Sequence, residues 1–200
     1  MTAAAVALEA RDFAGDLHLP VTSRPVRSES YAGSHHVTAL SALLVQLRDV
    51  IVGLPPSIYR AQPAARVSGS IGEHVRHCLD HVSALVAAMY GDELSYERRS
   101  RGTLVENERG VAADEISELL VRLERQTTVH LDRPVTLLAL LDAKRPAVAI
   151  RTTVGREITF VIHHTIHHCA LIAVLLEWQG ASVPEGFGLA PSTAKARATS

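Results

Sequence analysis

The sequence predicts an all-α protein, an antiparallel four-helix bundle with a long crossover and a small β-hairpin before the last helix. Four separate stretches carry apolar residues at helical spacing. The links between them are short except for one arginine-rich segment, and short links place consecutive helices antiparallel to each other. A stretch rich in Val, Leu, Ile and Thr precedes the fourth helical pattern and has the composition of strands.

The first two helices have clear boundaries. Helix one begins at Ser34 and ends before Gly53 and Pro55-Pro56, with apolar positions at Val37, Leu40, Leu44, Leu47 and Ile51. Helix two begins with Ser70-Ile71-Gly72-Glu73, which has the Ser-x-x-Glu form of a capping box, and runs to about Tyr90.

The second half of the chain begins with the arginine-rich residues 96–102, which we interpret as the long crossover. Helix three is predicted from near Ala112 to near Leu131, and the hairpin pairs residues 135–141 with residues 147–154. Helix four follows from about Gly155 to Gln179, where Gly180 can act as a left-handed cap. Residues 187–193 are expected to fold back on the helices.

Composition and patterning divide the chain into an N-terminal extension (1–33), the bundle (34–193) and a C-terminal tail (194–200). A formal net charge of −1 and the lack of a dense basic cluster argue against nucleic-acid binding. Two cysteines cannot form a disulfide framework, so we expect reduced, buried thiols. No secretory signal and no stretch of membrane-spanning length is evident, so we expect a cytoplasmic protein that does not bind membranes.

Histidines are concentrated in two of the predicted helices. Of the 11 histidines, three lie in residues 74–81 and four in residues 163–168, far more than an even distribution would give. On helix four, His164 and His168 are expected in the middle of the thickest apolar stripe, about 40° apart, with His167 at its edge. One turn, about 6 Å of rise, suits two imidazoles that bind the same divalent metal ion.

Helix two must supply the remaining ligand. His74, His77 and His81 form a stripe with the small residues Ala84 and Ala88, which would leave room for a pocket. The apolar pattern of the helix favours His74 and His81, which lie nearer the centre of its apolar face than His77 does. The residues alone therefore leave open whether His74 or His81 replaces or joins His77.

The segments Ser70-Ile71-Gly72-Glu73-His74-Val75-Arg76-His77 and His164-Thr165-Ile166-His167-His168 resemble the two metal motifs of the DinB/YfiT-like superfamily. Over residues 34–193, the resemblance implies that His77, His164 and His168 are the metal ligands. Cys169-Ala170-Leu171 stands where many members carry Arg-Gly-Gln, so a particular substrate does not transfer.

Three neutral histidines leave an open coordination position, as in catalytic sites, and suit zinc or nickel. The resemblance implies S-transfer with a low-molecular-weight thiol as cosubstrate. Arg98, Arg99 or Arg101 could bind its carboxylates, although a solvated charge run is the more common reason for such a cluster. Two other functions stay open: metal-dependent hydrolysis, with Glu73 or Asp80 as base, and metal binding by a stress protein without turnover.

The opposite face of helix four is also apolar, with Ile162, Ile166 and Ala173. A helix that is apolar on two sides needs cover on both. The N-terminal extension and the hairpin could provide it within one chain. A twofold partner could do so as well, and dimers also recur in the superfamily that the chain resembles, so we expect a homodimer.

Overall fold

The computed structural model describes residues 31–62, 67–126 and 129–199, which are mostly helical and include a small sheet. The elements in chain order are α1 (Tyr31–Val52), α2 (Pro56–Arg60), α3 (Ile71–Ala88), β1 (Glu93–Leu94), α4 (Leu104–Asn107), α5 (Arg109–Glu124), β2 (Pro134–Ala139), β3 (Val148–Thr153), α6 (Val154–Trp178) and α7 (Pro191–Ala198). The four long helices α1, α3, α5 and α6 correspond to the four predicted helices.

Contacts between the long helices form a closed ring, because α1 and α3 each contact both α5 and α6. The core lies inside this ring and contains fully buried aliphatic side chains from all four helices, among them Leu44, Val82, Ile116 and Ile172. The contact between α3 and α6 is the one that a shared histidine site requires.

The start of α3 is fixed by the predicted capping box. The Ser70 hydroxyl accepts a hydrogen bond from the Glu73 amide at 3.1 Å, and the Glu73 carboxylate accepts one from the Ser70 amide at 2.6 Å. In the same turn, Gly72 allows α4 to approach closely, because a Cβ there would lie 2.0 Å from the Glu106 carbonyl oxygen. These contacts set the position of the histidines one turn later.

The predicted hairpin is confirmed, since β2 and β3 pair antiparallel from Pro134 opposite Thr153 to Ala139 opposite Val148. The two-residue strand β1 was not predicted and pairs parallel to β2, which makes a three-stranded sheet. Leu94 and Val135 pack against Ala88, so the sheet covers the C-terminal end of α3. The predicted role of Ala88 in a pocket is therefore wrong, because its side chain is buried.

The third long helix, α5, is shorter and begins earlier than the sequence predicted. Helix α5 begins at Arg109 rather than near Ala112 and ends at Glu124, well before Leu131. The short helices α2, α4 and α7 were not predicted, since none is long enough to show an apolar period. Gly180 adopts the expected left-handed backbone with φ +70°, and buried Phe187 packs on the core, so the segment 187–193 begins by folding back as predicted.

The predicted extension, residues 1–33, falls mostly outside the described residues. Within the described residues, α1 begins at Tyr31, and α7 continues to Ala198, within the predicted tail. The division into extension, bundle and tail stays a prediction. Both cysteines, Cys78 and Cys169, are free and buried, as expected.

Helix α6 is, within the described ranges, long and apolar enough to span a membrane by length and composition alone. The prediction that no stretch reaches that length is therefore wrong for this helix. The core helix of a soluble protein meets the same criterion, and α6 packs against α1 and α3. The predicted absence of membrane binding is untested and stays a prediction.

Candidate metal centre

The packing of α3 against α6 brings histidines from both helices together. The Nε2 atoms of His77 on α3 and His164 on α6 lie 3.1 Å apart. His81, one turn after His77, joins them, and one ring nitrogen from each of the three histidines lies within 4.8 Å of the other two. Two of the predicted ligands, His77 and His164, thus meet, and His81 joins His77 on the α3 side.

The hydrogen bonding of His81 determines which of its nitrogens is available. Its Nδ1 lies 3.0 Å from the backbone carbonyl of His77, and a carbonyl oxygen can only accept, so the hydrogen is on Nδ1. The Nε2 atom of neutral His81 therefore keeps its lone pair for a metal ion. The ring is held between His164, with centroids 4.1 Å apart, and Tyr96, with centroids 4.8 Å apart.

His168, the third predicted ligand, is buried beside the same group. Its ring centroid lies 4.7 Å from that of His77 and 4.6 Å from that of His164. Its Nδ1 lies 3.0 Å from Nδ1 of His74, so one of these two nitrogens donates to the other. When His168 donates, its Nε2 is free for a metal ion, and the set His77, His164 and His168 stays a prediction.

The buried face of α6 differs from the one that the apolar pattern predicted. Its fully buried centre includes Val161, Thr165 and Ile172, roughly 60–100° from His164 around the helix. His164 is half-buried and lies at the edge of this face rather than in its middle. The prediction of a central position is therefore wrong, because packing against both α1 and α3 sets the rotation of α6. An edge position lets a small molecule reach the imidazole.

Burial keeps these histidines neutral. Desolvation lowers the pKa of His77 to about 3, of His164 to about 4 and of His168 to about 3, and charge repulsion between the rings adds to the effect. Desolvation also lowers the pKa values of His74 and His81. Five imidazoles are thus unprotonated at neutral pH, the state that a metal ligand needs.

A cleft of about 240 Å³ lies beside His81. It is lined by the aromatic rings of Tyr96 and Phe160, by the β2 residues Leu137, Leu138 and Ala139, and by Glu97, Arg99 and Arg156. Tyr96, Phe160, Arg99 and Arg156 come from two separate segments of the chain. Among these four, the sequence had indicated only Arg99 as a possible site residue.

Beneath the cleft, Glu157 is fully buried and joins three elements of the structure. Its carboxylate accepts hydrogen bonds from Tyr96 Oη at 2.9 Å, Thr152 Oγ1 at 2.8 Å and Arg156 Nη1 at 2.7 Å. The Tyr96 ring that it holds stacks on His81. A charged residue in the buried face of α6, seven residues before His164, was the available signal and was missed.

The remaining predicted residues lie further out. His167 is exposed, and its ring contacts His168 edge-on with centroids 5.4 Å apart. Arg98 lies 3.9 Å from Glu93 and lines a different cavity with Asp80 and Ala84, while Arg101 is exposed. Of the three arginines considered, Arg99 is the one that lines the cleft beside His81.

The donor set fits a divalent metal ion. Tetrahedral coordination with metal–nitrogen bonds of 2.0–2.1 Å places neighbouring nitrogens about 3.3 Å apart. The 3.1 Å between His77 Nε2 and His164 Nε2 is close to that value. Neutral imidazoles suit zinc and nickel, and three of them leave a position for a substrate atom.

This combination of a helical fold and histidines shared by two packed helices defines a class of proteins able to hold one metal ion on a helical scaffold. Residues 39–172 match the family model of the DinB superfamily, and the chain belongs to this superfamily. Among curated proteins, the chain is similar to FK506-binding protein 5 of Rhizopus delemar, with 37% identity over 101 residues. That match covers 50% of this chain and 26% of the fungal protein, so the chain spans about a quarter of that relative's length.

Proposed function

We propose that this protein is a metal-dependent enzyme that transfers or conjugates a low-molecular-weight thiol, with one zinc or nickel ion bound by histidines of α3 and α6. The observation that carries the proposal is the convergence of His77, His81 and His164 next to an open cleft. We also propose an antiparallel four-helix bundle for the four long helices, and a cytoplasmic location for the protein.

Each residue of the site has a definite task in this proposal. His77 and His164 provide ligand nitrogens, together with His81 or the predicted His168. A bound zinc or nickel ion supplies a Lewis acid that lowers the pKa of a coordinated thiol. The hydrogen bond from Tyr96 to Glu157 fixes the ring that supports His81, and the cleft holds the second substrate beside the histidines.

The two carboxylates that the sequence suggested as bases for hydrolysis, Glu73 and Asp80, are both engaged in other contacts. Hydrolysis with a metal-bound water benefits from a free carboxylate as base. Glu73 is occupied in the capping box, and Asp80 accepts a hydrogen bond from Arg76 at 2.8 Å. Both bases considered for hydrolysis are thus already paired. A thiol, whose ordinary pKa is several units below that of water, needs less help from a base.

The test begins with metal analysis of the protein purified without a histidine tag. We expect about one equivalent of zinc or nickel per chain. The metal-loaded protein is then incubated with a panel of cellular thiols and electrophiles, and we expect metal-dependent consumption of one thiol together with one electrophile. Removal of the metal with a chelator should abolish the reaction and readdition should restore it.

Three other outcomes would overturn parts of the proposal. Hydrolysis of an ester or amide without thiol would assign the protein to the hydrolases. Stoichiometric metal without turnover on either panel would support a binding protein. Protein that binds neither zinc nor nickel at micromolar concentration would remove the metal centre itself.

A further inference from the structure

We propose that Arg99 and Arg156 form a carboxylate-binding site in the cleft beside His81, and that the cleft accepts an acidic substrate with a flat or apolar body. The inference rests on the proposed function for the identity of the reaction, since it names the class of substrate. It depends on the side chains that line the cleft, and its test does not require turnover.

Arg99 is an exposed cation in the wall of the cleft. It is exposed in the crossover, lines the cleft next to His81, and has no ion pair within the described part of the chain. Among the histidines of the group, His81 is the one that shares this cleft lining with Arg99. A cation beside His81, a candidate metal ligand, is favourable when an anion lies between the two.

Arg156 supplies a second, better positioned guanidinium. Its Nη1 donates to Glu157 at 2.7 Å, and its Cζ lies 5.4 Å from the centre of the Phe160 ring. These contacts fix the side chain, yet 59% of it is exposed. A guanidinium has five N–H donors in a plane, so donors remain for a carboxylate after the bond to Glu157.

The other walls of the cleft determine what kind of molecule can place its carboxylate there. The rings of Tyr96 and Phe160 have centroids 5.2 Å apart and form one side, and Leu137 and Leu138 of β2 also line the cleft. Apolar walls of this kind favour burial of a ring or a short alkyl chain. A volume of about 240 Å³ limits the substrate to a small molecule.

The positive and negative charges in and under the cleft balance each other. The site therefore has to select its anion by directed hydrogen bonds rather than by net charge. Glu97 in the lining and Glu157 below it balance the two arginines in formal charge. Non-specific attraction of anions is therefore weak. Recognition has to come from the directed N–H donors, which distinguish a planar carboxylate from an amide of the same shape.

The test compares matched acids and amides by isothermal titration calorimetry on the full-length protein. One pair is 3-phenylpropionate and 3-phenylpropionamide, and the other is 3-mercaptopropionate and 3-mercaptopropionamide. We expect at least one acid to bind about tenfold or more tightly than its amide. Preference in the phenyl pair assigns the carboxylate to the acceptor substrate, and preference in the thiol pair alone assigns it to the thiol.

Variants then locate the site. Arg99→Gln and Arg156→Gln should each weaken the preferred acid about tenfold with little change for the amide, and Arg99→Lys should retain part of the preference. Arg60→Gln, an exposed arginine on α2 outside the cleft lining, is the matched control and should bind as the parent does. Circular dichroism verifies that each variant is folded.

Equal affinity of acid and amide in both pairs would overturn the proposal, and so would an acid preference that survives both glutamine substitutions. These results are distinct from failure of the proposed function. A protein that never consumes a thiol can still discriminate phenylpropionate from its amide, and a thiol transferase can bind both members of each pair equally.

Discussion

His81 illustrates how one backbone contact determines the chemistry of a side chain. The carbonyl of His77, one turn earlier in α3, accepts the hydrogen of His81 Nδ1. In a neutral ring this contact assigns the lone pair to Nε2, which is then the ring nitrogen able to bind a metal ion. The contact between His74 and His168 lacks this assignment because each ring nitrogen can donate or accept. The choice between His81 and His168 as a ligand thus depends on proton positions as well as on distances.

The predicted importance of His164 can be tested at a single position. His164→Ala should abolish zinc or nickel binding while most of the helical content remains, because the side chain is half-buried and lies at the edge of the core. Equilibrium dialysis with metal analysis measures the first effect and circular dichroism the second. His163→Ala is the control, since His163 is its exposed neighbour on α6 and should leave metal affinity unchanged. Unfolding of His164→Ala together with metal loss would indicate a structural metal site instead.

The lowered histidine pKa values predict a pH dependence of stability in the metal-free protein. Unfolded histidines take up protons below about pH 6.5, whereas folded His77 and His164 stay neutral to about pH 3 and 4. The unfolded state therefore binds more protons in this range, and the free energy of unfolding falls as the pH drops from about 6.5 to 4. The upper limit is about 1.4 kcal/mol per pH unit for each histidine, and the partial solvent exposure of both side chains reduces the effect.

Thermal unfolding at pH 7, 6 and 5 measures this effect. The double substitution His77→Gln and His164→Gln removes two of the titrating groups and should make the dependence shallower, since His74, His81 and His168 remain. A parent protein whose midpoint temperature is constant from pH 7 to pH 5 would contradict the prediction, as would an equally steep fall in the double variant.

At the scale of elements, the sequence predicted the long helices and the hairpin well, because their apolar periods extend over several turns or residue pairs. It predicted the rotation of α6 poorly. The helix has apolar residues on two sides, so the pattern alone allowed the buried centre to be placed at His164 rather than near Thr165. Which histidine can be the third ligand depends on this rotation and on the angle between α3 and α6. The spacing of histidines in the sequence gives no information on either.

The close approach of α4 to α3 predicts that Gly72 tolerates no side chain. A Cβ at this position would meet the carbonyl oxygen of Glu106 at 2.0 Å and the Tyr59 ring at 2.9 Å. Gly72→Ala should lower the free energy of unfolding by about 2 kcal/mol or more, since backbone has to move. It should also weaken metal binding, because α3 positions His77 and His81.

The matched control is Gly110→Ala on α5, where a Cβ would have no neighbour within 4 Å. Gly110→Ala should raise the free energy of unfolding by up to about 1 kcal/mol. Urea unfolding of both variants measures the difference. Equal stability of Gly72→Ala and the parent would show that α4 does not pack against α3 in this way.

At the scale of the whole molecule, the candidate site is made from segments that are distant in sequence. Residue spacing predicted histidines on α3 and α6, since each cluster lies within one helix. The cleft needs Tyr96 from the crossover, Leu137 from β2 and Phe160 from α6. Their meeting depends on the pairing of β1 with β2, and a two-residue strand has no sequence pattern of its own. This part of the site could therefore not be predicted from the sequence.

The structure also changes the argument for a homodimer, which rested on an apolar face of α6. Ile166 is 7% exposed within one chain, and Ile162 and Ala173 pack against the core. The face that led to the dimer prediction is thus covered from within, and Ile166→Glu would disturb the fold as well as any interface. The homodimer is untested and stays a proposal, for which the exposed apolar side chains of α6 offer a different surface.

That surface includes Val174 and Trp178, which are 49% and 66% exposed and lie one turn apart near the end of α6. We expect them to pack against a second copy, so the protein should sediment at about twice 21.6 kDa at micromolar concentration. Trp178→Glu should shift it to the mass of a single chain, because a charge cannot be buried there without a partner. Tyr90→Glu, at a residue 67% exposed outside α6, is the control and should leave the mass unchanged.

The sequence contains one tryptophan, so its fluorescence reports directly on this surface. Dilution through the dissociation range should shift the emission to longer wavelength as Trp178 becomes exposed to water, in parallel with the fall in sedimentation coefficient. If the parent sediments as a single chain at every concentration, the homodimer is wrong. If it is a dimer whose tryptophan emission does not change on dilution, the two copies meet through another face.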